Sequence, residues 1–513
     1  MARRSCADAE RGSVIAPSGL LSRVRGRLTD RRSWRFWAAI TLAGAAAVYV
    51  GVSEARQAAS AARLPALPDL SRQPPALRAH VTEADRAARA HPTSAEAVGA
   101  LCLAYHADLL YDQAERCYAV AEQLSGFAWR WTYYRALAQG ARGDADGLAA
   151  GLRRVVARAP RFSPAWWQLG EMEFKAGRDN RADEAWRRVL ALPEPARPAP
   201  SAGSPARLAV APISAYATLG LARLAMAQGH ADRAREMLEK TTATAPRFGP
   251  AFRLLGSAYA ALGRADEAAR AVRMADRSPA YDPYVDPMID DLVRESRSST
   301  FLLQQAASAD VSTNGAWREY LIRRALEFDP DNTDALYELA SLLRILRRYD
   351  EALPLLDRYH RLVPGDFQAL ADTGRCLSGL QRFAEAEGVL RRALEGSDDA
   401  NTRFDLGLVL DRVGRFAESV AEYQRALDRN PNHRDALNNL GVAFARQGRL
   451  KEAARQFEHL AAIEPDNADA HTNLGAIFLT QGADARAERE FAAALDISPD
   501  HALAREGMRK LKR

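Results

Sequence analysis

The chain has 513 residues, more than one compact core supports, so several domains or one repeat array are expected. Apolar residues make up 48% and charged residues 27%, which excludes a disordered acidic chain and a many-span membrane protein. The net charge of +6 sits wholly in residues 1–35, where nine Arg stand against Asp8, Glu10 and Asp30; setting these aside leaves 62 basic and 62 acidic residues, so the body is not a basic nucleic-acid groove.

Residues 1–35 read as a basic cytoplasmic tail. Residues 36–52, FWAAITLAGAAAVYVGV, carry no charge. As a helix they span roughly 25 Å, slightly less than a ~30 Å hydrocarbon core. Snorkelling by Arg35, with Trp34, Trp37 and Tyr49 at the two interfaces, lengthens the effective span. Nine Arg precede this run, while Glu54, Arg56 and Arg63 follow it. That asymmetry predicts a single-pass inner-membrane signal anchor, N-terminus cytoplasmic and body periplasmic. Three other readings use the same residues. A cleaved signal peptide would use Ala59-Ser60-Ala61, far beyond the apolar run, after a long charged lead. A twin-Arg signal at Arg31-Arg32-Ser33-Trp34 meets Arg35 where it wants an apolar residue. A buried Ala-rich helix of a soluble protein is opposed by the charge asymmetry. Residues 53–75, with Pro65, Pro68, Pro74 and Pro75, read as a stiff tether that holds the body off the bilayer.

Beyond the tether the chain repeats. Leu-Gly pairs recur at Leu406-Gly407, Leu440-Gly441 and Leu474-Gly475, as do Pro431, Pro465 and Pro499, and Tyr423, Phe457 and Phe491. The unit 434–467 carries Leu437, Leu440, Gly441, Phe444, Ala453, Phe457, Leu460 and Pro465; the unit 468–501 carries Leu474, Gly475, Phe478, Ala487, Phe491, Ala494 and Pro499. Units 333–366, 367–399 and 400–433 follow the same frame, and more divergent copies fit at 95–128, 129–162, 163–192, 215–248, 249–282 and, by half, 299–332. Positions 4, 7, 8 and 11 of each unit lie on one helical face, and positions 20, 24 and 27 on one face of a second helix. Small residues at 8 and 20 predict close approach of the two helix backbones, and Pro at 32 ends the second helix. A single such hairpin cannot bury its apolar face, but stacked neighbours can.

This register resembles the tetratricopeptide repeat family, over most of residues 95–501. The resemblance implies an all-α fold: a right-handed superhelical solenoid of about ten helix-turn-helix repeats, preceded here by one N-terminal transmembrane helix. Residues 76–192 form a capping helix and first block, 193–212 a Pro/Ala-rich flexible insertion, 213–282 a repeat pair, and 283–332 an irregular helical segment with a partial repeat. Five repeats then fill 333–501, and 502–513 form a C-terminal capping helix. Pro279, Pro283 and Pro287 mark a bend in the solenoid or a docking loop. In this family the first helices present positions 2, 5, 6, 9 and 13 to a bound protein segment. Carried onto this chain, those positions give a peptide-binding groove of Asn438, Asn439, Arg446, Asn473, Asp405 and Arg412. An Asn amide at position 6 can donate to a peptide C=O and accept from its N–H, or be solvated. The family's carboxylate clamp needs Lys on successive first helices, and those are absent; Lys occurs only at 175, 240, 451, 510 and 512.

Catalytic motifs are missing. There is no phosphate-binding GxxxxGK[ST], no HExxH and no GxSxG, and the nine His are scattered over different repeat positions. No catalytic residue, metal site, cofactor or small-molecule substrate is therefore expected. Cys102 and Cys117 fall at positions 8 and 23 of one repeat; two buried free thiols are expected there, a disulfide being the alternative in an oxidising compartment. Trp129, Trp131 and Trp167 read as an aromatic patch or as packing within the hairpins. The sum is a non-enzymatic scaffold that binds other proteins, touches the membrane through one helix, binds no nucleic acid, and assists an envelope or export complex. An adaptor for apoprotein clients, as in cytochrome maturation, and the regulatory repeat arm of a glycosyltransferase or other enzyme are the alternatives.

Overall fold

The computed structural model describes residues 31–195, 205, 207–208, 211–278 and 284–511, and every regular element among them is a helix. The chain divides into two compact units. The first comprises residues up to 69, 80–106 and 110–159; the second comprises 70–79, 107–109 and 160–513.

In the first unit a helix runs from Arg31 to Ala61. Its stretch Arg35–Ala61 has a mean hydropathy of 1.7 and none of it is buried, so by length and composition it is able to cross a membrane. Helix continues nine residues past the apolar run, through Ala59-Ser60-Ala61, so the expected tether is helical in its first third. The next residues do not stand free either. Leu64 is buried, and Arg89, already paired with Asp85, donates from Nη2 to the Pro65 carbonyl at 2.9 Å.

Two helical hairpins follow: Ala95–Ala107 with Tyr111–Leu124, and Trp129–Ala141 with Ala145–Arg158. Tyr118 stacks on Tyr134 with ring centroids 5.8 Å apart. Trp131 is buried and fills the space above Gly99, where any Cβ would meet its ring at 2.1 Å. This corrects the patch reading for Trp131, which is core. The expectation of two free thiols is also overturned: Cys102 and Cys117 are bonded, their Cα atoms 5.2 Å apart. Antiparallel pairing of the two helices brings positions 8 and 23 within bridging distance.

In the second unit the hairpins are Ser163–Lys175 with Asp179–Leu190, Ile213–Ala227 with Ala231–Thr244, and Gly249–Ala261 with Ala265–Asp276. A single helix, Pro287–Glu295, and a hairpin with a short first helix, Ser299–Ala307 and Val311–Phe328, come next. Five regular hairpins follow: Thr333–Ile345 with Tyr349–Leu362, Phe367–Gly379 with Phe383–Gly396, Ala400–Arg412 with Phe416–Arg429, Arg434–Arg446 with Leu450–Ile463, and Ala468–Thr480 with Asp484–Ile497. The helix Ala502–Leu511 closes the stack. First helices start on side-chain caps: Asn332, Asp366, Asp399, His433 and Asn467 each accept a backbone N–H of the first turn. Each such cap contributes about 1 kcal/mol.

Much of the insertion 193–212 lies outside the described residues, but its described parts are fixed. Glu194 accepts the backbone N–H groups of Ile213 and Ser214 at 3.1 Å each, capping the next helix. Asn314 holds Leu208 from both sides, accepting its N–H at 2.7 Å and donating to its C=O at 2.9 Å. Trp167 is half-buried, against Tyr216 and Tyr284.

The small residue at position 8 makes room for a side chain as well as for close approach of the helices. Gly441, Gly475 and Gly407 each face the ring at position 24 of their own repeat, where a Cβ would lie 2.7–2.8 Å from Phe457, Phe491 or Tyr423, and at Gly407 the Ser419 carbonyl of the second helix also stands 3.3 Å away. The glycine is the seat of a buried aromatic ring. A second rule was not read from the sequence at all. Position 15, in the turn between the two helices, has φ near +60 to +86° in every regular repeat, as in Gly414, Gly448 and Gly482. Glycine adopts this conformation without a Cβ penalty. Gly448→Ala should lose about 1 kcal/mol of stability in urea unfolding, whereas Gln381→Gly, at the same position with φ of 61°, should lose none. Equal losses at the two sites would show that the left-handed turn is not what these positions require.

Candidate functional site

The side chains at position 6 of the first helices form a row along the second unit: Asp372, Asp405, Asn439 and Asn473. In helical register they stand about 100–140° around the helix from Leu377, Leu410, Leu440 and Leu474, which are buried in the stack, so the row flanks the apolar stripe. At one end of the row stand the amides. Asn473 Nδ2 donates to Asn438 Oδ1 at 3.3 Å, and Asn438 Nδ2 donates to Asn439 Oδ1 at 3.3 Å. All three are half-buried. Asn438 and Asn473 line an open cavity of about 490 Å³ together with Arg434, Glu464 and Asn467.

At the other end stands a charged network. Asp372 is buried; its Oδ2 accepts from Tyr337 Oη at 2.9 Å, and its Oδ1 lies 2.7 Å from Arg375 Nη1 and 3.2 Å from Arg344 Nε. Arg375 Nε donates to Asp405 Oδ2 at 2.5 Å. One guanidinium thus joins position 6 of two successive repeats. Arg344, Arg375, Asp405 and Arg412 line an open cavity of about 890 Å³, rimmed by Arg347 and Tyr349. Of the six groove residues expected from the sequence, Asp405 and Arg412 belong to this cavity and Asn438 and Asn473 to the smaller one. Asn439 is joined to Asn438, and Arg446 lies 3.7 Å from Asp411 at the exposed edge.

Tyr337, Arg344, Arg347, Asp372 and Arg375 were not among the expected groove residues. The signal for them was present: Asp372 and Arg375 occupy positions 6 and 9 of the unit 367–399, in the register already set by its neighbours. What that register does not contain is the pairing of Arg375 with the next repeat, which depends on the stagger between hairpins.

Burial pushes the Asp405 carboxyl up to about 6, against the pull of Arg375. The unfolded carboxyl titrates near 3.8, so between these values the folded state binds the proton more tightly. This group therefore lowers stability as pH rises from about 4 to about 6. Asp405→Asn should flatten the pH dependence of the urea midpoint across that window. An unchanged slope would mean the carboxyl titrates as if in water.

Among the described residues no three His, Cys, Asp or Glu side chains are placed to hold a metal ion. The site offers paired guanidinium, carboxylate and amide groups in register on open helix faces, which suits recognition of another chain.

Stacked hairpins with a polar row on their first helices define a helical-repeat interaction protein. Three family models described as tetratricopeptide repeat match residues 219–283, 347–401 and 404–465, residues 444–511, and residues 321–353. The chain belongs to the tetratricopeptide repeat family. Tetratricopeptide repeat-containing protein trd-1 of Caenorhabditis elegans is 32% identical over 127 residues, 24% of this chain and 15% of that protein. Tetratricopeptide repeat protein 1 of Schizosaccharomyces pombe is 30% identical over 127 residues, 23% of this chain and 12% of that protein. The chain thus spans a small part of the length of these relatives. Among solved structures, YrrB, described as a TPR protein with an unusual peptide-binding site, is 25% identical, with 37% of this chain and 97% of that chain covered and a TM-score of 0.31. PilW, described as a widely conserved type IV pilus biogenesis factor, is 21% identical, with 41% and 98% covered and a TM-score of 0.38.

Proposed function

We propose that this chain is a non-catalytic scaffold, anchored in the inner membrane by the helix Arg31–Ala61, that holds extended protein segments along the first-helix face of residues 333–501 on the periplasmic side. The observation that carries the reading is the run of half-buried amides Asn438, Asn439 and Asn473 on two successive first helices, with Asn438 and Asn473 lining an open cavity. An extended segment has backbone N–H and C=O groups that such a row can satisfy. Two independent features support the compartment. The nine Arg before the apolar run favour a cytoplasmic N-terminus. The Cys102–Cys117 bond favours an oxidising environment for the body. Assisting assembly of an envelope or export complex is the role such a placement serves.

Crosslinking of the full chain in native membranes, followed by capture, tests the reading. Wild type should retain protein partners, and a variant with Asn438, Asn439 and Asn473 replaced by Ala should lose them while keeping its melting temperature within a few degrees. Capture by the variant equal to wild type would remove the amide row from the binding face.

A further inference from the structure

The large cavity of the second unit has a chemistry the amide end lacks. Arg344, Arg347, Arg375 and Arg412 line it, against Asp405 and the buried Asp372 behind it. Both carboxylates are occupied: Asp372 by Arg375, Arg344 and Tyr337, and Asp405 by Arg375. No carboxylate lies within ion-pair distance of Arg347 or Arg412 among the described residues, and both side chains are exposed. The cavity therefore presents two uncommitted guanidinium groups.

The backbone at this rim is unusual in the same place. Position 15 is glycine in seven repeats and Leu109 in an eighth, whereas Arg347 and Gln381 hold it with φ of 59° and 61° in two adjacent repeats, and both line this cavity. A long side chain in the left-handed region is disfavoured, and the two instances over one cavity place polar groups where glycine would place none. Beside them runs an apolar edge. Leu346, Leu380 and Val413 occupy position 14 of three successive repeats and are 41%, 36% and 43% exposed, with Ile345 at 58%. Single exposed apolar residues are ordinary, but a row in register next to a charged cavity marks an interaction surface.

The geometry points to a docking site for an acidic polypeptide segment with interspersed aliphatic side chains, its carboxylates on Arg347 and Arg412 and its aliphatic groups on the position-14 edge. The inference rests on the scaffold reading and names the class of segment held. Guanidinium groups pair carboxylates in a bidentate fork. A nucleic acid fits poorly, because phosphate chains need an extended basic field and the body after residue 35 is charge-balanced.

The test uses the full chain in detergent and a labelled synthetic peptide alternating Glu and Leu. Wild type should bind it, with affinity falling as salt rises. The double variant R347G/R412A should bind about tenfold more weakly or worse, a difference of about 1.4 kcal/mol. Its thermal midpoint should not fall, since glycine suits position 15 and Arg412 is exposed. Equal binding of the peptide by wild type and variant overturns the proposal, as does tighter binding of the matching Lys/Leu peptide or of single-stranded oligo-dT. Membrane crosslinking of the same double variant separates the two claims. Retained protein partners with no Glu/Leu binding by wild type would leave the scaffold standing and remove only the acidic specificity. Absence of any captured protein from wild type would remove the scaffold itself.

Discussion

Replacing Phe457 by Ala should cost about 3–5 kcal/mol, enough to melt its repeat ahead of the rest of the array. The ring is buried beside Tyr423, Leu440, Phe444, Phe478 and Phe491, so its removal leaves a cavity shared by three repeats. It also leaves Gly441 with nothing above it, since the ring is what occupies the space where a Cβ would sit. Gly441→Leu alone should destabilise by about 1–3 kcal/mol through overpacking against the ring. Combined with Phe457→Ala it should cost less than the sum, because the new side chain enters the space the ring vacates. Equilibrium unfolding of the four proteins gives the coupling. Strict additivity would show that positions 8 and 24 do not share that space, and the ring-seat explanation of the glycine would fail.

Loss of the Cys102–Cys117 bond should destabilise the first unit by about 3 kcal/mol, the amount expected for releasing a loop of about 15 residues in the unfolded chain. Both sulfurs are in fully buried residues, so a reductant acts only when the hairpin opens. Cys102→Ser with Cys117→Ser should lower the first-unit transition and leave the 333–501 repeats unmoved, which circular dichroism with local fluorescent labels can resolve. A thiol titration in denaturant gives a second readout. With four Cys in the chain and one bond among the described residues, at most two thiols should react before reduction and four after it. Four reactive thiols before reduction would refute the bond and remove one of the two supports for a periplasmic body.

The hairpin fold was legible because its packing is local and periodic. Leu440, Gly441, Ala453, Phe457 and Pro465 mark two helices, their contact and their end, and the same marks recur at Leu474, Gly475, Ala487, Phe491 and Pro499. Each repeat touches its neighbours in the same way, so one period read correctly yields the architecture. The apolar run at 36–52 was legible for a similar reason, since length and charge asymmetry are properties of the chain alone. Part of the candidate site was legible as well, once the family's ligand-facing positions were carried onto the register: Asp405, Arg412, Asn438, Asn439 and Asn473.

The rest depended on distances between residues that the register does not relate. Arg375 reaches Asp405 of the next repeat, and Asn473 reaches Asn438 of the previous one, because of the stagger between hairpins. Leu208 is held by Asn314 across 106 residues of chain, although the local composition there reads as a flexible insertion. Position 15 could have been found from Gly414, Gly448 and Gly482, but its meaning for Arg347 and Gln381 required the backbone angle. Whether Cys102 and Cys117 bond was likewise settled by how the two helices face each other. Period and composition determined which helices form and how they stack; only the tertiary structure decided which polar side chains meet, because that is set by offsets of a few ångströms between elements that packing alone fixes.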